Sequence, residues 1–160
     1  MKFKELEIIE KAYGDRIAHR SQVPLINHIH EGIAILLAVQ ASEAAIRAFC
    51  IHPIVQTDMQ GIDLSEVSPD VLILAEEYRD RANAYLCRPE TDYIDSFVKV
   101  YERVNQDGEM SRDCAMMLYA DKIQNQKDFR LYHKETHPRS EQLDAYFNNW
   151  ITYLRAEYDI

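Results

Sequence analysis

Apolar residues recur at helical spacing along almost the whole chain, and no stretch alternates with the period of two that marks a half-buried strand. Leu6, Ile9, Ala12, Tyr13 and Ile17 share one face, which predicts a first helix from Phe3 to His19. Arg20 to Ile26, containing Pro24, reads as a loop, and a second helix runs from Asn27 to Gln40. Ser42 followed by Glu43 suits the start of a third helix: a serine hydroxyl accepts from an early amide, and an acid favours the positive helix end. Ala44, Ala45, Ala48, Phe49 and Ile51 form its apolar set. Pro53 then removes a backbone donor, so this helix is expected to kink or end near His52. Gly61 to Val67 reads as a connection.

Ser68-Pro69-Asp70 places proline at the first helical position after an N-cap, opening a fourth helix that reaches Leu86. Arg88-Pro89 breaks it, and Thr91 caps a fifth helix to Asn105. Asp107-Gly108 turns the chain. A sixth helix runs from Ser111 into Phe129, as far as His133, before His137-Pro138; Ser140 opens a seventh, to Glu157. The expected fold class is all-α: a compact single domain over residues 1–160, with about seven helices and no strand.

Composition narrows the function classes. The length of 160 residues suits one core, and the four glycines are too few for a turn-rich all-β fold. A net charge of −9 argues against a duplex nucleic-acid partner, which calls for clustered Lys and Arg, but leaves room for one small phosphorylated ligand. Cys50, Cys87 and Cys114 are odd in number and lack C-x-x-C spacing, as expected of reduced thiols in a cytoplasmic protein. The opening MKFKELEIIEKAYGDR is charged throughout, so no secretory signal is expected. The apolar run Ile33 to Val39 is too short to span a bilayer. Tyr146, Trp150, Tyr153, Leu154 and Tyr158 have helical spacing and suit core packing or a homo-oligomer contact.

Three segments carry candidate chemistry: Pro24-Leu25-Ile26-Asn27-His28, Ala48 to Asp58 around His52-Pro53, and Tyr119-Ala120-Asp121-Lys122-Ile123-Gln124-Asn125. Two imidazoles and a carboxylate on three helices can form one face of a metal coordination sphere with open positions. Periodicity does not bring the three together. His28 and Glu31 share a helix face, as do Asp121 and Asn125; His52 and Gln56 do so if the helix continues past Pro53.

In this order and spacing, the segments resemble the HD phosphohydrolase superfamily, and are most similar to RelA/SpoT-type guanosine polyphosphate 3′-pyrophosphohydrolases. The family pattern Pro-Tyr-Ile-x-His is matched by Pro24 to His28. Its His-Asp segment, Ala-x-Leu-Leu-His-Asp-x-x-Glu-Asp-Thr, is matched by Ala48 to Asp58, and Leu-Ala-Asp-Lys-Leu-x-Asn by Tyr119 to Asn125. The resemblance implies an HD-type helical bundle with His28, His52 and Asp121 as ligands of a divalent metal, manganese foremost. If the chain is such an enzyme, Gln56, Asp58 and Asn125 are expected to order water or substrate, and Lys122 and Arg20 to neutralise phosphate. The implied activity is hydrolysis of a small phosphorylated nucleotide, such as a (p)ppGpp-like guanosine polyphosphate. Two departures count. Pro53 replaces the Asp of the His-Asp doublet, and Gln56-Thr57 replaces the acidic pair, with an acid displaced to Asp58. Loss of a carboxylate is expected to weaken divalent binding, so the alternative is an inactive HD-fold module that binds a nucleotide or a protein.

Basic residues near these segments include Arg16, Arg20, Lys122, Lys127 and Arg130, and His19, His30, His133 and His137 read as structural.

Overall fold

The computed structural model describes residues 3–19, 21–57, 59–87 and 96–160. Among these residues the chain is all-α, with seven helices: α1 Lys4–Tyr13, α2 Ile26–Ala38, α3 Glu43–Gln56, α4 Pro69–Ala84, α5 Phe97–Asp107, α6 Arg112–Tyr132 and α7 Ser140–Tyr158. Their only β pairing is an isolated antiparallel bridge between Ile17 and Pro24.

Local chemistry fixes several boundaries. The Ser42 hydroxyl accepts from Ala45 N at 3.0 Å and opens α3. Ser111 does the same for α6 through Cys114 N at 3.1 Å. Ser68 precedes Pro69 at the start of α4, but its hydroxyl accepts from Arg47 instead of capping an amide. The expected Arg88-Pro89 break and Thr91 cap lie outside the described residues.

Two expectations change. The first helix stops at Tyr13 rather than His19, because Gly14 takes φ +52°, a conformation glycine adopts without strain. The chain then folds back through Ala18 N to Val23 O at 2.8 Å and Leu25 N to Arg16 O at 2.9 Å. Ile17, expected on the buried face, is half exposed. The second change is at Pro53. The third helix does not end at His52; it continues through Pro53 to Gln56, with Thr57 N and Thr57 Oγ1 both donating to the Pro53 carbonyl.

Helices α3 and α6 form the centre. α3 packs on α1, α2, α4 and α6, while α6 packs on α2, α3, α4 and α7. Every residue from Cys114 to Lys122 is buried, and so is every residue from Ala45 to Ile54 except Arg47. Such all-round burial is normal for a central helix. It also makes His52, Asp121 and Lys122 exceptional, since they are polar groups inside the two most buried helices. On the outside of the bundle, Arg47 grips the buried Glu5 with two hydrogen bonds, 2.8 and 3.2 Å, pinning α1 to α3. The aromatic face of α7 is core: Trp150 is fully buried with its ring 4.7 Å from that of Tyr85, and Tyr153 meets Phe97 of α5. Among the described residues, no helix is long and apolar enough to cross a membrane.

Candidate metal centre

His28 enters from the first turn of α2, His52 from the last turns of α3 and Asp121 from the middle of α6. Each contributes one donor atom to a group whose members lie within 4.8 Å of one another. His28 Nε2 is 3.3 Å from His52 Nε2 and 3.6 Å from Asp121 Oδ1. Donors about 2.1 Å from a shared ion stand roughly 3.0–3.5 Å apart in octahedral or tetrahedral geometry, and these two spacings lie close to that range.

The hydrogen bonds behind the rings decide what the rings present. His52 Nδ1 lies 2.7 Å from the Phe49 carbonyl, which can only accept, so Nδ1 carries the proton. His28 Nδ1 lies 2.6 Å from Gln124 Oε1. The orientation of that amide follows from its other end, where Nε2 donates to the carboxylates of Asp128 at 2.7 Å and Glu31 at 3.4 Å. Both Nδ1 atoms therefore donate, and in the neutral rings this leaves both Nε2 lone pairs turned toward the same point. Two lone pairs 3.3 Å apart repel one another unless a cation or a proton lies between them.

Protonation states agree with this reading. Burial and the neighbouring His28 push the His52 pKa down to about 3, against the pull of Asp121 and the Phe49 carbonyl, so the ring is neutral at ordinary pH. Burial pushes the Asp121 carboxyl up, but Lys122 and the two imidazoles outweigh it and hold the pKa below its usual value. Neutral imidazole and ionised carboxylate are the forms that bind a cation.

The remaining expected residues fall into three groups. Asn125 touches the ligand set directly, its Nδ2 donating to Asp121 Oδ1 at 2.7 Å. Lys122 is buried behind Asp121, with its Nζ 3.5 Å from Oδ2 and 5.3 Å from the Tyr146 ring centre. Burial works to discharge its ammonium, but Tyr146 and Asp121 prevail and raise its pKa. Gln56 lines the cleft in front of the cluster, its amide donating to Asn83 at 3.1 Å. Arg20 and Asp58 lie outside the described residues. Among the other cations, Lys127 pairs with Glu31 and Asp128, Arg130 with Asp144, and Arg16 with the Ala12 carbonyl. Glu31 thus stands behind Gln124 and is not one of the three donors.

Three residues escaped the sequence reading. Gln124 orients His28. Phe49 supplies the carbonyl for His52, and its ring packs 4.5 Å from that imidazole. Tyr78 of α4 packs edge-on to His52 at 4.8 Å, and burial together with the adjacent Asp121 holds its phenol protonated well beyond neutral pH. Gln124 had a signal: Asp121, Gln124, Asn125 and Asp128 form a polar stripe at i, i+3, i+4 and i+7 on one helix. Tyr78 had none, because an aromatic residue at helical spacing reads only as core.

The cluster opens into a cleft of about 340 Å³ whose walls include Pro53, Gln56, Asn125 and Asp128. A second cleft, about 480 Å³, shares Gln56, Asp121, Asn125 and Asp128 and extends over Phe129, Tyr146 and Phe147. One donor group therefore faces an adjoining polar and aromatic space, the arrangement of a small-molecule site. Compared with protein-family models, with curated proteins and with solved structures, the chain gives no match.

Proposed function

We propose that the chain is an HD-type phosphohydrolase that holds one divalent cation, manganese foremost, on His28, His52 and Asp121 and acts on a small phosphorylated nucleotide. The observation that carries this reading is the paired Nε2 lone pairs of His28 and His52 beside the Asp121 carboxylate. The ordered resemblance of the three segments to the HD superfamily supplies the reaction class, with a (p)ppGpp-like guanosine polyphosphate as the first substrate to try. A divalent ion bound there would polarise a phosphoryl oxygen and acidify water.

The chain's own residues do the rest. Asn125 and Lys122 hold the two Asp121 oxygens, so the carboxylate keeps its direction and its charge. Asp128 is the described carboxylate in the same cleft that remains outside the donor group, which makes it the candidate proton acceptor. Gln56 can order water or substrate by hydrogen bonding but cannot accept a proton as a base. The aromatic part of the neighbouring cleft is suited to a flat or apolar portion of the substrate.

A second reading is a nucleotide-binding module without turnover. Pro53 and Gln56 favour it, since both line the cleft at positions where the resembled family has acids. One assay separates the two: manganese-loaded protein is incubated with a panel of nucleotides, including guanosine polyphosphates, and phosphate or pyrophosphate release is followed. Turnover lost in His52→Ala supports the hydrolase. Saturable nucleotide binding with no release at any manganese concentration supports the module and removes the hydrolase.

A further inference from the structure

Proline inside a helix leaves the carbonyl four residues earlier without its amide partner. In α3 that carbonyl belongs to Phe49, and Pro53 is the residue that lacks the N–H. Phe49 is fully buried, and water is not close at hand to satisfy its carbonyl. His52 Nδ1 instead donates to it at 2.7 Å. A buried carbonyl is costly to leave unpaired, so the carbonyl and the ring hold each other in place.

The geometry points to Pro53 as a positioning residue for the metal centre: by withholding an amide from the Phe49 carbonyl, it reserves that oxygen for His52 Nδ1 and so turns the lone pair of His52 Nε2 toward His28. The inference rests on the metal-binding reading for its consequence, but its cause is a property of the metal-free chain. Pro53 also forms part of the cleft wall, but its ring carries no polar atom to offer there, so its effect travels through Phe49 and His52. On this account, the proline in place of an acid does not dismantle the centre. It exchanges a side-chain ligand for a fixed orientation of the adjacent histidine.

The test has two readouts on the full chain, wild type against Pro53→Ala. Alanine is a good helix former, so the helix is retained while the missing amide is restored. The first readout is long-range proton–nitrogen NMR of the histidine rings at neutral pH without metal. Wild-type His52 is expected wholly in the form protonated on Nδ1. Pro53→Ala is expected to show a fraction protonated on Nε2, because the backbone N–H restored at position 53 now competes for the Phe49 carbonyl. The second is calorimetric titration with Mn²⁺ alone, where loss of a ligand-orienting partner weakens binding by about 10–100-fold. A wild-type His52 protonated on Nε2 overturns the inference. So does a Pro53→Ala protein with an unchanged tautomer. If wild type takes up no Mn²⁺, the metal reading fails, while the tautomer spectra still decide the role of Pro53.

Discussion

Gln124 shows how much one side chain can settle. Its oxygen faces His28 Nδ1 and its nitrogen faces Asp128 and Glu31, so the acids fix the amide and the amide fixes the ring. Gln124→Leu keeps the volume and removes the acceptor. The expected result is a mixed His28 tautomer in the NMR spectrum and a fall in Mn²⁺ affinity of about 10–100-fold, with the helical circular dichroism retained. Unchanged affinity in that variant would count against the orienting role. At this scale the sequence was partly legible. His28, His52 and Asp121 could be singled out because imidazoles and a carboxylate in three ordered segments carry a chemical pattern. Of their orienting partners, Gln124 left a trace in the polar stripe of α6, whereas a backbone carbonyl such as that of Phe49 leaves none in a sequence.

Helices come close enough to form the site because of particular small residues. A Cβ on Gly32 of α2 would lie 2.1 Å from Phe49 Cε1 of α3, so this glycine admits the Phe49 ring between the helices that carry His28 and His52. Gly32→Ala must displace that ring. We expect a loss of about 1–3 kcal/mol in chemical denaturation, together with weaker metal binding. Near the start of α7, Asp144 accepts from Arg130 at 2.7 Å and Lys134 at 3.0 Å, tying α7 to the end of α6. The bond to Arg130, with Lys134 adding to it, lowers the Asp144 pKa below its ordinary value. A depressed carboxyl stabilises the fold above the unfolded pKa, about 3.9, and that contribution fades as pH falls through the folded value. Both cations are nearly half exposed, so screening limits the gain. Asp144→Asn is expected to cost about 0.5–1 kcal/mol at pH 7, and the gap to wild type should begin to narrow as pH falls below about 4. A gap that does not narrow as acid is added would show that packing, not charge, is responsible. Element boundaries were legible where a side chain caps, as at Ser42 and Ser111, and at Asp107-Gly108. They were missed at Gly14 and Pro53. The periodic pattern reached Ile17, although Gly14 had already redirected the chain. Pro53 reads as a breaker, although a nearby histidine can take over the vacated carbonyl.

For the whole molecule, helical periodicity alone indicated an all-α bundle, and the described residues have that architecture. Periodicity says less about the middle of α3 and α6, because helices buried on every side lose their polar face. That loss hides the packing order, and with it the convergence of three segments far apart in the chain. Polar residues within those buried stretches are the remaining clue, and they mark the centre. The net charge of −9 fits a site that draws in a cation, since the field of the whole protein favours positive ligands over polyanions. On the proposed function, a phosphorylated substrate would depend on a bound ion to offset that field. The buried thiols take no part: burial pushes Cys50 up to about 12 and raises Cys114 as well, leaving both protonated and inert.

The most direct test of the account is the metal stoichiometry and affinity of the untagged full chain, measured for wild type, His28→Ala and Asp121→Ala with Mn²⁺ in excess. The account predicts one divalent ion per chain in wild type and at least a hundredfold weaker binding in each variant, with all three proteins folded by circular dichroism. A wild-type chain that binds no divalent ion, or one whose affinity survives both substitutions, would contradict it.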